Sequence, residues 1–459
     1  MARDHDYSLA VPRDERARLA AGWLALGLAA LLGSGLFAIL LVLARAPWVK
    51  DFMPGGDFFR VALIVHVDLS VLVWFASLSA MLWTLGGGTR ALGAGWAALW
   101  GAAAGTLVMA VAPFAERGLP VMSNYIPVVE GRWFLAGLVV FGSAWGLAVL
   151  RAMWAATPVG ARLDASGALR FGLNASLVSA AVALMAFAWS WLKLPPTLEA
   201  KAYYEVLFWG GGHVLQFTWT LVMLVAWLWL AQAAGARVPL SPRVATLFLG
   251  VGLASVFATP VIYLAWDIVS IEHYRYQTWL MRFGGGLAIL PFVLAVGWSL
   301  VRLGPVAPEA RPLRAALVAS IVLFGAGGLI GFAIQGSNVR IPAHYHGAIV
   351  GVTLALMGMV YHLLPRLGYA APRSRLATLQ PWLYGGGQLL HIVGLVWSGG
   401  YGVQRKAAGA EQALRTAPEV VAMGVMGLGG LVAIAGGMLF LVVVGRAMWP
   451  AASRAPSQS

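Results

Sequence analysis

Long apolar runs separated by short polar connections fill almost the whole of this chain. Twelve of them reach the roughly 20 residues that an α-helix needs to cross the hydrocarbon core of a membrane. They lie at 19–45, 58–85, 92–115, 133–156, 170–193, 204–233, 244–266, 279–301, 313–335, 342–364, 377–400 and 418–446. The pattern predicts an all-α integral membrane protein with twelve transmembrane helices.

Composition and charge agree with this pattern and add an orientation. Of the 459 residues, 60% are hydrophobic and 10% are charged, proportions that a soluble domain does not show. A net charge of +14 would suggest a nucleic-acid partner in a soluble protein, but here we interpret it through the Lys and Arg bias of the loops. That bias predicts a cytoplasmic head (1–18), a membrane domain (19–446) and a cytoplasmic tail (447–459) in a bacterial-type inner membrane, with lipid and no nucleic acid as partner.

The sequence contains no cysteine. Thiolate ligands, iron–sulfur clusters, disulfides and covalently attached c-type haem are therefore excluded within this chain. A bound metal would need ligands from His, carboxylate, Met or Tyr side chains.

Six of the eight histidines fall in the outer half of the predicted membrane layer. They are His66, His213, His273, His344, His346 and His391, with His273 assigned to the loop between the seventh and eighth spans. Imidazoles inside a bilayer are costly and usually face a cavity, a partner or a metal. Because neutral imidazole is the common axial ligand of haem iron, their shared depth favours haem ligation over unrelated structural roles.

His344 and His346 open the tenth predicted span, directly after Pro342. Two helical positions at about 100° each turn a side chain by about 200°, so these imidazoles leave opposite sides of one helix and suit two different planar cofactors. The simplest allocation places a six-coordinate haem between His66 and one of the pair, and a five-coordinate haem on the other. His213 would then support a further metal.

These motifs resemble the haem-copper oxidoreductase superfamily, subunit I (cytochrome c oxidase subunit I-like), over all twelve spans. The most specific similarity runs from Pro-Ala-His344-Tyr-His346-Gly to Tyr361-His-Leu-Leu-Pro-Arg. The segment that begins at His66 is similar to the version in nitric-oxide reductases. The resemblance implies that His344 binds a high-spin haem and that His66 and His346 bind a low-spin haem. It also implies that His213 is the first ligand of a non-haem metal.

The expected second part of that metal site departs from the family. Members normally carry two adjacent histidines at the outer end of the seventh span, and this sequence has no His-His pair. In one alignment Glu272 and His273 stand there and, with His213, give two imidazoles and a carboxylate, a set that suits non-haem iron better than copper. Asp267 is a second candidate for the carboxylate. In another alignment residues 261–262 stand there, and the site is lost.

The choice of substrate gas depends on two further positions. Oxygen reductases of this family tie a tyrosine covalently to a metal-ligating histidine, at places that hold Phe217 and Trp266 in this chain. The resemblance thus implies reduction of a diatomic gas, with nitric oxide favoured and dioxygen, as in a terminal cytochrome c oxidase, as the alternative. A different class of function is a dihaem electron conduit or sensor without the second metal. A transporter that uses histidines as proton relays would bind no haem.

Two arginines and one partner complete the expectations. Arg340 and Arg405 lie on the outer side, where haem propionates would point, and guanidinium groups suit bidentate contact with carboxylates. Since the chain has neither a c-type haem motif nor a copper-binding domain, the resemblance implies an electron-input subunit of the cytochrome c or cupredoxin type.

Overall fold

The computed structural model of this chain describes residues 6–43, 58–160, 163–336, 338–403, 414 and 416–449. Over these residues the backbone forms fifteen α-helices and a short β-hairpin. The helices are α1 (Glu15–Leu43), α2 (Phe58–Val67), α3 (Trp74–Gly86), α4 (Leu92–Ala115), α5 (Arg132–Trp154), α6 (Ala165–Lys193), α7 (Ala200–Ala233), α8 (Pro242–Val256), α9 (Ala258–Ala265), α10 (Ile271–Gly284), α11 (Gly286–Arg302), α12 (Arg311–Phe332), α13 (Arg340–Leu363), α14 (Arg375–Gly400) and α15 (Ala417–Met448). The hairpin pairs β1 (Leu119–Val121) with β2 (Val128–Glu130).

The predicted all-α membrane architecture is confirmed. Within the described residues, eleven helical segments are long and apolar enough to cross a membrane, and they coincide with eleven of the twelve predicted spans. The remaining predicted span, the eleventh (377–400), corresponds to α14, a helix of 26 residues whose sequence is less apolar because it includes Arg375, Gln380 and His391.

The chain forms two compact units, each with its own packing. The first unit contains residues 1–232 and 238–299. Its N-terminal segment is fixed to it, because the buried Tyr7 donates a hydrogen bond to the main-chain oxygen of Leu240 at 2.7 Å. Arg16, in the first turn of α1, donates to the main-chain oxygen of Gly87 at 2.6 Å. The described part of the head predicted for residues 1–18 therefore includes the start of α1 and contacts the loops of this unit through Tyr7 and Arg16.

The second unit contains residues 233–237 and 300–459, and its helices pack through glycines. A Cβ at Gly347 of α13 would lie 2.6 Å from Cα of Gly327 on α12. The same close approach joins α14 to α15, where a Cβ at Gly394 would lie 2.6 Å from the main-chain oxygen of Ala422. Small residues let membrane helices meet backbone to backbone, so this unit holds its histidines at short interhelical distances.

Three local features differ from the sequence-based expectations. His273 lies in the first turn of α10, at the start of the eighth span, and not in a loop. The connection between α4 and α5 contains the β1–β2 hairpin. Directly after His66 the second span winds as a π-helical turn over Asp68–Val73 before it continues as α3. The predicted cytoplasmic tail lies almost entirely outside the described residues.

Candidate functional site

His66 lies near the end of α2 and is held by α1. Its Nδ1 lies 2.9 Å from the main-chain oxygen of Ser34 and 2.9 Å from the hydroxyl of the same residue. An Nδ1–H group that donates to a carbonyl leaves Nε2 with its lone pair, which is the tautomer of a metal-ligating imidazole. The π-helical turn that follows belongs to a class of helix irregularity found frequently at functional sites.

His344, in the first turns of α13, is held by α12 in the same manner. Its Nδ1 lies 2.7 Å from the main-chain oxygen of Gly327. One turn further along α12, a Cβ at Gly331 would lie 2.7 Å from the same Nδ1. Only a glycine therefore leaves space for the imidazole ring, and the hydrogen bond to Gly327 again leaves the Nε2 lone pair available.

His346 contacts a different neighbour of α13. Its ring lies 4.9 Å, centre to centre, from the ring of His391 on α14, in an edge-to-face arrangement. His391 is fixed from α15, because its Nδ1 lies 2.9 Å from the main-chain oxygen of Met426. The two histidines of α13 thus contact different neighbouring helices, α12 and α14.

These surroundings fit haem iron. Ligating imidazoles usually donate their second nitrogen to a carbonyl, which fixes the ring and increases its basicity as a ligand. Ser34 does this for His66 in the first unit, and Gly327 does it for His344 in the second. The assignment of His66 and His346 to a low-spin haem, and of His344 to a high-spin haem, stays a prediction.

His213 follows a run of three glycines on α7, and each glycine makes room for an aromatic ring. A Cβ would meet the ring of Tyr263 at Gly210, that of Phe187 at Gly211 and that of Tyr125 at Gly212. The run therefore serves close packing around His213, which is itself 3% exposed.

Both ring nitrogens of His213 are engaged within the protein. Nδ1 lies 2.7 Å from the main-chain oxygen of Trp209, and Nε2 lies 2.9 Å from the hydroxyl of Tyr125. Burial, and next the nearby Tyr274 and Glu205, raise the pKa of Tyr125 well above its ordinary value. Tyr125 therefore stays protonated at neutral pH, and its hydroxyl donates a hydrogen bond to Nε2.

The structure brings only two of the three predicted non-haem metal ligands near each other, since His213 and His273 are close enough to interact electrostatically. His273 is buried and its ring meets Tyr263 edge-on at 4.6 Å between centres, whereas Glu272 is exposed. The reason is that α10 begins at Ile271, so that these neighbours project about 100° apart. Across the part of the chain that the structure describes, no three His, Asp or Glu side chains are grouped to hold a metal ion.

The other candidates of that region do not complete a ligand set. Asp267 is exposed and its carboxylate accepts the main-chain N–H of Val269 at 3.0 Å. Residues 261–262 lie within α9 and are apolar. The donors present around His213 therefore do not fit a copper or non-haem iron site, which normally has at least three protein ligands.

The structure describes only one of the two arginines that were predicted to bind haem propionates. Arg340 begins α13, and its side chain runs against Gly399 at the end of α14, where a Cβ would lie 2.7 Å from Arg340 Cγ. Arg340 and His344 are four residues apart and share one helix face. Arg405 lies outside the described residues.

Sequence reasoning missed the residues that surround the histidines. Ser34, Gly331 and Tyr125 lie far along the chain from the rings that they contact. The glycine run before His213 was a visible signal of close packing, but it does not name the ring that packs there.

Comparisons with known proteins agree on the family and the fold of this chain. The family model described as cytochrome c and quinol oxidase polypeptide I matches residues 18–433. An uncharacterized protein of Rickettsia prowazekii is 29% identical, with 94% of this chain and 96% of the relative covered. Cytochrome c oxidase subunit 1 of Thermus thermophilus is 26% identical, with 89% and 81% covered. A heme-copper terminal oxidase dimer solved by cryo-EM shares the fold, with a TM-score of 0.73 and 14% identity over 95% of this chain and 85% of that chain.

The match to the family model extends over most of the chain and includes every histidine discussed above. This chain therefore belongs to the cytochrome c and quinol oxidase polypeptide I family, the subunit I family of the haem-copper oxidases.

Proposed function

We propose that this chain is the dihaem subunit of a respiratory membrane complex and that it reduces a diatomic gas, with nitric oxide favoured over dioxygen. Membership of the family implies an integral membrane oxidoreductase that carries haem. When bound, haem would supply iron that exchanges single electrons and binds a diatomic gas.

The observation that carries this proposal is the common setting of His66 and His344. Each donates Nδ1–H to a main-chain oxygen, at 2.9 Å and 2.7 Å respectively, and each keeps Nε2 for a metal. His66 and His346 would hold the low-spin haem, and His344 the high-spin haem. Gly331 supports this assignment, because it provides the space in which the His344 ring is held.

The preference for nitric oxide rests on two positions whose side chains are not phenols. Phe217 is buried in α7, and Trp266 lies at the end of α9. Neither side chain has a phenol to deliver an electron and a proton together, which four-electron cleavage of dioxygen requires and two-electron reduction of nitric oxide does not. Tyr125, however, brings a phenol from a loop into hydrogen-bond contact with His213. Because a phenol is the group that dioxygen cleavage requires, dioxygen is the alternative substrate.

A second candidate function is a dihaem electron conduit or sensor. The specific observation in its favour is the engagement of both His213 nitrogens, by Trp209 and by Tyr125. This arrangement leaves the haem ligands unchanged and removes the donor set of a second metal.

Electron input would come from outside the chain. We propose a cytochrome c or cupredoxin-type subunit on the outer face of a bacterial-type inner membrane, with both termini of this chain in the cytoplasm. Arg340 and Arg405 would pair with haem propionates on that face.

The test is an optical spectrum followed by turnover. Purified full-length protein is expected to show two b- or a-type haems per chain, one of which binds carbon monoxide when reduced. With a chemical reductant it should consume nitric oxide faster than dioxygen. A colourless preparation refutes the proposal, two haems without gas consumption favour the conduit, and faster dioxygen consumption reverses the choice of gas.

A further inference from the structure

Tyr125 reaches His213 from the connection between β1 and β2. Its hydroxyl lies 2.9 Å from Nε2, and its ring lies 4.7 Å, centre to centre, from the imidazole. Tyr125 also meets the indole of Trp209 edge-on, with ring centres 5.6 Å apart. The phenol is therefore in contact with His213 and with the residue one turn before it on α7.

The loop that carries Tyr125 is fixed to the first unit by its neighbours. The main-chain N–H of Asn124 donates to Glu205 Oε2 at 3.0 Å, and its side-chain amide bonds to the other carboxylate oxygen. Glu205 also accepts a hydrogen bond from the hydroxyl of Tyr274 at 3.3 Å, and Tyr274 stacks on Trp209 at 3.5 Å between ring centres. These contacts hold the phenol over α7 from two directions.

The backbone of α7 is shaped to receive this phenol. A Cβ at Gly212 would lie 2.6 Å from Cδ1 of Tyr125, so that any larger residue would displace the ring. Gly212, directly before His213, is thus explained by the packing of Tyr125 and not by a metal ion.

The hydrogen-bond inventory of the imidazole leaves no donor atom for a metal. A neutral imidazole has one N–H and one lone pair. Since the Trp209 oxygen can only accept, Nδ1 carries the hydrogen, and the lone pair of Nε2 accepts from Tyr125. A metal ion needs that same lone pair.

We propose that His213 is held by Tyr125 in place of a metal ion, and that this chain carries its haems without copper or non-haem iron beside His213. The proposal deepens the proposed function, on which its haem part rests, since the haem iron is then the only metal available to a gas. It also differs from the three-imidazole site expected of the family.

Elemental analysis tests the metal part. Full-length protein from cells supplied with copper and iron is expected to contain iron equal to its haem and far less than one copper per chain. His213→Leu should leave both ratios unchanged. One equivalent of copper, or of iron beyond haem, that is present in the native chain and lost in H213L would overturn the proposal. A colourless preparation would refute the proposed function and leave this metal measurement interpretable.

A double-mutant cycle tests the phenol–imidazole bond. Tyr125→Phe should speed thermal unfolding in detergent about fivefold, the change expected for one net hydrogen bond. His213→Leu also removes the bond to the Trp209 oxygen and should speed unfolding more than Y125F does. The double variant should unfold no faster than H213L, because the bond that Y125F removes is already absent there. A further fivefold increase when Y125F is added to H213L would refute a direct bond.

Two further variants keep this cycle interpretable. His213→Gln retains an acceptor for the Tyr125 hydroxyl and should speed unfolding less than H213L does. It replaces H213L in the cycle if H213L does not fold. Tyr263→Phe removes a hydroxyl that bonds to Ser190 at 2.7 Å, also beside the glycine run. Its effect should multiply with that of H213L, which would mark the coupling as specific to Tyr125.

Discussion

Gly331 and His344 are so close that a Cβ at position 331 would lie 2.7 Å from Nδ1 of the imidazole. The same nitrogen is bonded to the main-chain oxygen of Gly327 at 2.7 Å. A single methyl group on α12 would therefore displace the ring from the carbonyl that orients it.

We expect Gly331→Ala to weaken retention of the haem bound by His344 about tenfold, the lower end of effects seen when residues that orient a ligand are changed. The measurement is the carbon-monoxide difference spectrum of the reduced protein, which reports a five-coordinate haem. Gly328→Ala is the matched control, because nothing lies within 4 Å of a Cβ there. Equal losses in both variants would refute the steric argument.

His66 gives a second prediction. His66→Leu removes the imidazole and should abolish the low-spin haem signal in electron paramagnetic resonance. Ser34→Ala removes one hydroxyl but keeps the main-chain oxygen that bonds to Nδ1, so the signal should remain with only a small shift. Ser70→Ala is the control, since its hydroxyl bonds to the main-chain oxygen of His66 and not to the ring. Loss of the signal in S70A but not in H66L would remove His66 from the ligand set.

Tyr7 provides a prediction about stability and pH. Its buried hydroxyl donates to Leu240 at 2.7 Å, and burial raises the pKa of Tyr7 well above its ordinary value. Tyr7→Phe should lower the free energy of unfolding by about 1 kcal/mol at neutral pH. In the unfolded chain this tyrosine loses its proton near pH 10. The stabilisation is therefore complete below about pH 10 and is lost as the pH rises further.

Thermal unfolding in detergent across that pH range measures the Tyr7 effect. The native protein should lose stability more steeply above about pH 10 than Y7F does. Tyr401→Phe, at a residue that is 52% exposed, should follow the native curve. Parallel curves for the native protein and Y7F would contradict the assignment.

The sequence was sufficient for the membrane architecture because apolar length alone decides a transmembrane helix. It also predicted that His344 and His346 leave different flanks of one helix, since that follows from helical geometry. It did not predict the π-helical turn after His66, where no proline or glycine marks an irregularity. It also placed His273 outside the helix that contains it.

The non-haem site shows why the rest could not be obtained from sequence. The choice between Glu272–His273 and residues 261–262 depended on where α10 begins, and Ser270, which caps this helix, gave only a local signal. The partner of His213 comes from a residue 88 positions earlier in the chain. Pairing of a distant loop with a helix is set by tertiary packing, which no local pattern records.

Arg340 gives the last prediction, and Arg366 is its control. Arg340 lies four residues before His344, on the same face of α13, at the end of the helix where propionates would lie. Arg366 lies beyond the other end of α13, and its guanidinium donates to the main-chain oxygen of His362 at 2.7 Å. A positive charge beside a propionate favours the reduced haem, so Arg340→Gln should lower the midpoint potential. A tenfold change in the reduction equilibrium corresponds to about 59 mV for one electron.

Two further variants serve as controls for Arg340. Arg340→Lys keeps the charge without the bidentate geometry, so its midpoint potential should lie between those of the native protein and R340Q. Arg366→Gln should leave the midpoint potential unchanged. Spectroelectrochemical titration measures all three variants, and equal shifts in R340Q and R366Q would show that the effect is one of general charge and not of a propionate contact at Arg340.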